Sequence, residues 1–190
     1  MNNDDGRRKR RRRRRLIAIA VFLGLALGLA WIFEMQATTT VFFVRYAELV
    51  ETDDPNPGLS SSGRRRAEEL ARLLGSADVF GGVDAIFATE YRRSQETAEP
   101  IAKLLKLPVQ IVEARNVRGL RDMIRAEYKG KMVLVVTDRD AMIRLVRRLN
   151  GRRNLPLAAD DEHDNLYIVS IPWYGKVKTL RLKYGAPYLP

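Results

Sequence analysis

Four largely apolar runs recur along the chain, and each breaks off into polar residues. Residues 40–44 (TVFFV) stop at Arg45-Tyr46, 83–88 (VDAIFA) at Thr89-Glu90, Val109–Val112 at Glu113, and 132–136 (MVLVV) at Thr137-Asp138. Short, β-branched and aromatic runs of this kind read as strands of a parallel sheet buried on both faces. Between them the apolar positions switch to helical spacing. Ala67, Leu70, Ala71 and Leu74 share one face of a helix over 64–75, with serine at its start and Gly75 at its end. Ala98, Ile101, Ala102 and Leu105 mark a second helix, and 117–128 and 143–149 mark two more. Residues 166–171 and 176–182, joined through Pro172-Trp173-Tyr174-Gly175, read as a hairpin. Strands alternating with helices predict an α/β fold: a three-layer α/β/α sandwich with a mostly parallel sheet and a C-terminal hairpin.

Ahead of all this lies a run of another kind. Residues 16–33 are apolar without interruption, and as a helix they would extend roughly 27 Å, close to the ~30 Å of a hydrocarbon core. Nine basic residues at 7–15 abut its start, and Trp31 lies near its other end. The pattern predicts a basic cytoplasmic tail over 1–15, a transmembrane anchor over 16–36 and a globular domain over 38–190. By the positive-inside rule that domain faces the other side: periplasmic, or more generally extracytoplasmic, on a single-pass inner-membrane protein. A cleaved signal peptide competes, since Gly28-Leu29-Ala30 offers small residues for processing. Signal h-regions run only about 7–15 residues, which favours an uncleaved signal anchor. Ala20, Gly24 and Gly28 form a small-residue stripe that would let two such helices approach, the expected face for a homodimer.

Charge changes meaning once it is located. The net charge is +11, but residues 7–15 supply most of it, and the chain from residue 16 onward carries 25 basic and 21 acidic residues. No nucleic-acid partner is expected. Arginines against a spanning segment set topology and bind anionic lipid head groups. The chain has no cysteine, which excludes disulfides, thiol nucleophiles and cysteine metal sites. No glycine-rich phosphate loop or zinc-type histidine pair is present, and neither cofactor nor metal is expected.

Four pieces of the folded part occur together in order: Arg45-Tyr46-Ala47-Glu48, Leu59-Ser60 with Gly63, Thr89 through Arg93 to Thr97-Ala98, and the strand 133–136 into Thr137-Asp138-Arg139. Together they resemble the histidine phosphatase (phosphoglycerate mutase-like) superfamily, small bacterial branch, over roughly residues 38–184. That family runs an apolar strand into Arg-His-Gly or Arg-His-Ala, then Leu-Ser-x-x-Gly, then Ser-x-x-x-Arg-x-x-x-Thr-Ala, then a strand into Gly-His-Ser. The resemblance implies phosphate ligation by Arg45 and Arg93. It places the two catalytic histidines at positions held here by Tyr46 and Asp138.

The residue inventory agrees with a loss of chemistry. The chain has one histidine, His163. It falls in an acidic stretch, Asp160 to Asp164, that reads as a solvated loop distant from both motif positions; a metal site of Asp161, His163 and Asp164 is the weaker reading. A phenol with pKa near 10 is protonated at neutral pH and a poor nucleophile. Asp138 is expected to pair with Arg45 or Arg93 and fill the anion site from within, with Glu48 as a further pocket residue. The expectation is a catalytically inactive pseudoenzyme in a binding or scaffolding role, holding a phosphorylated ligand or a protein partner. The alternatives are a divergent phosphomonoesterase using a non-histidine nucleophile, and a structural subunit of a membrane complex.

Overall fold

The computed structural model describes residues 3–34, 38–76, 82–150, 162–172 and 175–187. They form two compact units, residues 1–37 and 38–190. The first is one helix, α1 (Asn3–Glu34). Its stretch Arg12–Trp31 has a mean hydropathy of 1.8 and none of it is buried. By length and composition it is able to cross a membrane. Helical geometry begins well before the apolar run, because arginine is a good helix former and the run continues the same helix.

The second unit is a six-stranded sheet, β1 (Thr39–Arg45), β2 (Ala85–Thr89), β3 (Val109–Val112), β4 (Met132–Thr137), β5 (Asn165–Ile171) and β6 (Lys178–Lys183), in the order β3-β2-β4-β1-β5-β6. The first four strands are mutually parallel, while β5 and β6 form the antiparallel hairpin against β1. Both faces are covered, as the unbroken apolar runs required. Val41, Phe43, Phe87 and Val135 pack with α4 (Val117–Glu127) and α5 (Arg139–Asn150) on one side. Phe42, Val44, Ile86 and Val136 pack with α2 (Ser61–Ser76) and α3 (Arg92–Leu105) on the other. Phe43 and Phe87 are wholly buried, and each such ring contributes roughly 1.5–3 kcal/mol of transfer free energy.

Two helices start earlier than the sequence reading placed them. α2 begins at Ser61, where the Ser60 hydroxyl accepts from Gly63 N at 3.1 Å, and α5 begins at Arg139, directly off β4. The first turn of α2 is polar and set by its cap, so hydrophobic spacing carries no record of it. α5 opens on polar Arg139-Asp140, but Ala141 and Met142 of the same turn are buried in the core. Trp173 and Tyr174 of the hairpin turn lie outside the described residues.

Candidate functional site

Parallel strands place their carboxyl ends together, and β1 delivers Arg45 and Tyr46 to that edge. The ladder continues one residue past the strand: Tyr46 N donates to Thr137 O at 3.2 Å. From the other side α3 closes in. Thr97 Oγ1 donates to Arg93 O at 2.7 Å and accepts from Ala47 N at 3.0 Å. The Arg-x-x-x-Thr spacing therefore places one helical turn of α3 against the exit of β1, and it brings Arg93 over Tyr46.

The geometry around Tyr46 is a stack. The Arg93 guanidinium carbon lies 4.7 Å from the Tyr46 ring centroid and 4.3 Å from that of Tyr91, and Arg45 lies 5.1 Å from the Tyr46 ring. Cation–π contacts at these distances orient the guanidinium planes against the rings. Arg93 Nε is buried and has no hydrogen-bond partner among the described residues. Arg45 and Arg93 are thus brought together on one aromatic side chain.

His163 corrects the sequence reading. It is 9% exposed, its Nδ1 lies 2.7 Å from Tyr46 O, and its ring centroid is 5.8 Å from that of Tyr46. The reason is topological: β5 runs antiparallel to β1 with Val44 opposite Leu166, so residues just before β5 meet residues just after β1. Burial pushes the imidazole below its usual pKa. The Tyr46 carbonyl opposes that shift and the Arg45 charge adds to it. Asp164 is also buried, with Lys183 Nζ at 3.1 Å; Asp161 lies outside the described residues.

Asp138 corrects a second expectation. Its Oδ1 accepts from Ala141 N at 2.8 Å and caps the first turn of α5; no ion pair joins it to Arg45 or Arg93 among the described residues. Asp138→Ala is accordingly expected to lower stability by about 1 kcal/mol through the lost cap and to leave anion binding at the arginines unchanged. Urea unfolding and phosphate titration separate the two effects.

Glu48 is held apart from the arginine stack by a residue that no motif pointed to. Arg66 Nε and Nη2 reach Glu48 Oε1 at 2.8 and 2.7 Å, and Arg66 Nη1 donates to Tyr184 O and Ala186 O at 3.2 and 3.0 Å. Burial, the largest single influence, disfavours both charges, but their mutual hydrogen bond together with the attraction of neighbouring charges outweighs it, so Glu48 sits below and Arg66 above its ordinary pKa. The buried Tyr184 phenol is pushed far up by the same burial. Leu59, Ser60 and Gly63 buttress this corner: Ser60 N donates to Glu48 O at 2.9 Å and Leu59 N to Glu96 Oε2 at 2.7 Å. The helical period of α2 places Arg66 on the buried side with Gly63 and Ala67, which was the available signal.

Residues 41–116 match the family model for the histidine phosphatase superfamily (branch 1). The protein histidine phosphatase SixA, solved with tungstate, superposes with a TM-score of 0.62 at 17% identity, covering 76% of this chain and 96% of that one. Residues 41–116 are thus similar to the histidine phosphatase superfamily, and the folded unit shares the fold of SixA. A mycobacterial glucosyl-3-phosphoglycerate phosphatase shares the fold at a TM-score of 0.58 and 13% identity, over 78% of this chain and 99% of its own. Among curated sequences, the PE-PGRS family protein PE_PGRS11 of Mycobacterium tuberculosis is 34% identical over 70 residues, 37% of this chain. The match covers 12% of that protein's length. Transcription factor tau 55 kDa subunit of Saccharomyces cerevisiae is 36% identical over 80 residues, 42% of this chain and 16% of its own.

Proposed function

We propose that this chain is a membrane-anchored, catalytically inactive histidine-phosphatase-like protein that binds a phosphorylated ligand or partner through Arg45 and Arg93. One observation carries the reading. At the strand end where superfamily resemblance puts the nucleophilic imidazole, Tyr46 stands between two guanidiniums, 5.1 and 4.7 Å from their carbons. A phenol set between cations has the hydrogen-bonding capacity to contact an anion but is a poor substitute for an imidazole in attack on phosphorus. The second histidine position is occupied by a carboxylate that caps a helix. Planar guanidiniums suit bidentate contact with phosphate oxygens, so binding outlives turnover.

The topology belongs to the same proposal. α1 anchors the chain in an inner membrane with its arginine-rich end in the cytoplasm, against anionic head groups, and the folded unit outside. A second reading, a divergent phosphomonoesterase, draws on His163, whose imidazole lies against Tyr46 and close enough to Arg45 for that charge to lower its pKa.

The test uses the full chain in detergent micelles. Para-nitrophenyl phosphate is expected to show no turnover above buffer, while tungstate or phosphate raises the melting temperature of the wild type and not of Arg93→Ala. Steady phosphate release that disappears in Arg45→Ala, Arg93→Ala or His163→Ala would establish the enzyme instead. Absence of both turnover and anion binding would favour a structural membrane subunit.

A further inference from the structure

The end of the sheet opposite the Tyr46 site carries a cluster of exposed lysines, and its position is aligned with the chain's order. β1, β2, β3 and β4 all start at one end, where β5 finishes and β6 begins: Thr40 is opposite Met132, Ile86 opposite Val109, Thr39 opposite Ile171 and Ser170 opposite Lys178. In the described segments that lead into these starts, five residues are lysines, Lys106, Lys129, Lys131, Lys176 and Lys178, and all five are exposed. A single carboxylate, Asp84, accompanies them. At the opposite end, the described segments that border the candidate site, those leaving β1 to β4 and the one entering β5, hold nine carboxylates, among them Glu51, Asp53, Asp54 and Glu90. These are interspersed with Arg115 and with Arg45, Arg92, Arg93, Arg139 and Lys183 at the adjoining strand and helix ends.

Helix dipoles account for part of the basic end only. Lys106 and Lys129 follow the C-termini of α3 and α4, where a cation is favoured. Lys131, Lys176 and Lys178 follow no helix.

Covalent order adds a second, independent constraint. Residues 35–38 are all that separate α1, which ends at Glu34, from β1, which starts at Thr39. Five peptide steps span at most roughly 18 Å. If α1 spans a bilayer, the strand-start end is held within that distance of the head groups. A lysine cluster so placed is attracted to anionic lipid, and the attraction falls off over a Debye length of about 8–10 Å.

We infer that the lysine-bearing end of the sheet docks onto anionic phospholipid head groups of the membrane that α1 spans, turning the Tyr46 site away from the bilayer. The inference rests on the anchor reading given above. It concerns a different surface from the arginine-rich tail, which lies at the other end of α1. The lysine end carries little compensating negative charge and is drawn to the lipid, whereas at the site end carboxylates and basic residues are interspersed and pair with one another. A ligand or partner reaching Arg45 and Arg93 would therefore be one presented from the aqueous side.

The absence of cysteine makes the test direct. Pro108→Cys labels the lysine end and Ser61→Cys the site end, each carrying a fluorophore on the full chain in phosphatidylcholine vesicles with or without phosphatidylglycerol. A head-group nitroxide lipid is expected to quench the label at 108 several-fold more than that at 61 when phosphatidylglycerol is present. The difference should vanish without phosphatidylglycerol, in high salt, and in the combined Lys129→Gln, Lys131→Gln, Lys176→Gln, Lys178→Gln variant. Equal quenching at both positions, or quenching at 108 indifferent to lipid charge and to the lysines, overturns docking. Carbonate-resistant flotation with the vesicles separates the two claims. A chain that floats but shows no asymmetry keeps its anchor and loses the docking, whereas one that does not float loses both.

Discussion

Arg66→Met is expected to cost the folded domain about 3–5 kcal/mol, because it removes one partner of a buried ion pair and leaves the other charged. The Arg66 and Glu48 side chains are 6% and 16% exposed, so water does little to compensate. The substitution also withdraws the donors that satisfy Tyr184 O and Ala186 O, and each carbonyl left without a partner adds a desolvation penalty. For a domain of this size that loss lowers the melting temperature by roughly 10 °C. Urea unfolding of the full chain in detergent, followed by circular dichroism, measures it. The double change Glu48→Leu with Arg66→Met should be distinctly milder than Arg66→Met alone, since no uncompensated charge remains. A single-variant loss under about 1 kcal/mol would mean the pair behaves as a solvated surface bridge.

The same pair sets a pH dependence. The Glu48 carboxyl is held below its ordinary range in the folded chain. Its contribution is therefore complete above the unfolded carboxyl pKa of about 4.3 and is lost as pH falls through the lower folded value. Glu96 shifts in the same direction: partial burial opposes its charge, but donation from Leu59 N and Arg92 outweighs it. Acid unfolding of the wild type should thus steepen below about pH 4, and Glu48→Gln should flatten it.

Most of the architecture was legible because burial on both sheet faces writes itself as uninterrupted apolar runs. The strand at Val109–Val112 is a direct match, and the runs at 132–136 and 166–171 differ from β4 and β5 by one residue. Helix starts were less legible. The first turn of α2 lacks apolar side chains and is positioned by Ser60, and a hydrogen bond to a main-chain N–H group leaves no periodicity. α5 opens on polar Arg139-Asp140, capped by Asp138, ahead of its buried Ala141 and Met142.

The site divides in a comparable way. Arg45 and Tyr46 follow one another at the end of β1 and Arg93 opens α3, and both guanidiniums lie against the Tyr46 ring. His163 is 117 residues from Tyr46, and its acidic neighbours made it read as solvated. Only knowing that β5 pairs antiparallel with β1 brings it to the strand end. Asp138 was read through its charge alone. A single aspartate directly ahead of a helix has a nearer partner than any arginine, namely the open amides of that helix.

Gly63→Ala is expected to damage both stability and the site, although the change adds one methyl group. A Cβ at this position would lie 2.1 Å from Glu48 O and 3.0 Å from Glu48 C. Both are backbone atoms with no rotamer through which to escape, so α2 and the exit of β1 must separate by about 1 Å. Overpacking of this kind costs roughly 1–3 kcal/mol and sometimes more, and the rigid contact puts this case at the upper end. Alanine's better helix propensity returns at most about 1 kcal/mol. The displaced backbone lies two residues beyond Tyr46, and Ser60 N donates to the same Glu48 oxygen at 2.9 Å. The strain therefore enters the strand end that carries Arg45 as well as the α2 cap. Gly63→Ala should unfold at lower urea than wild type and bind tungstate several-fold more weakly. Ser62→Ala, one residue away and exposed, should match wild type in both. Wild-type stability in Gly63→Ala would show that the helix and strand end are free to move apart, and that Leu-Ser-x-x-Gly is not needed here for close approach.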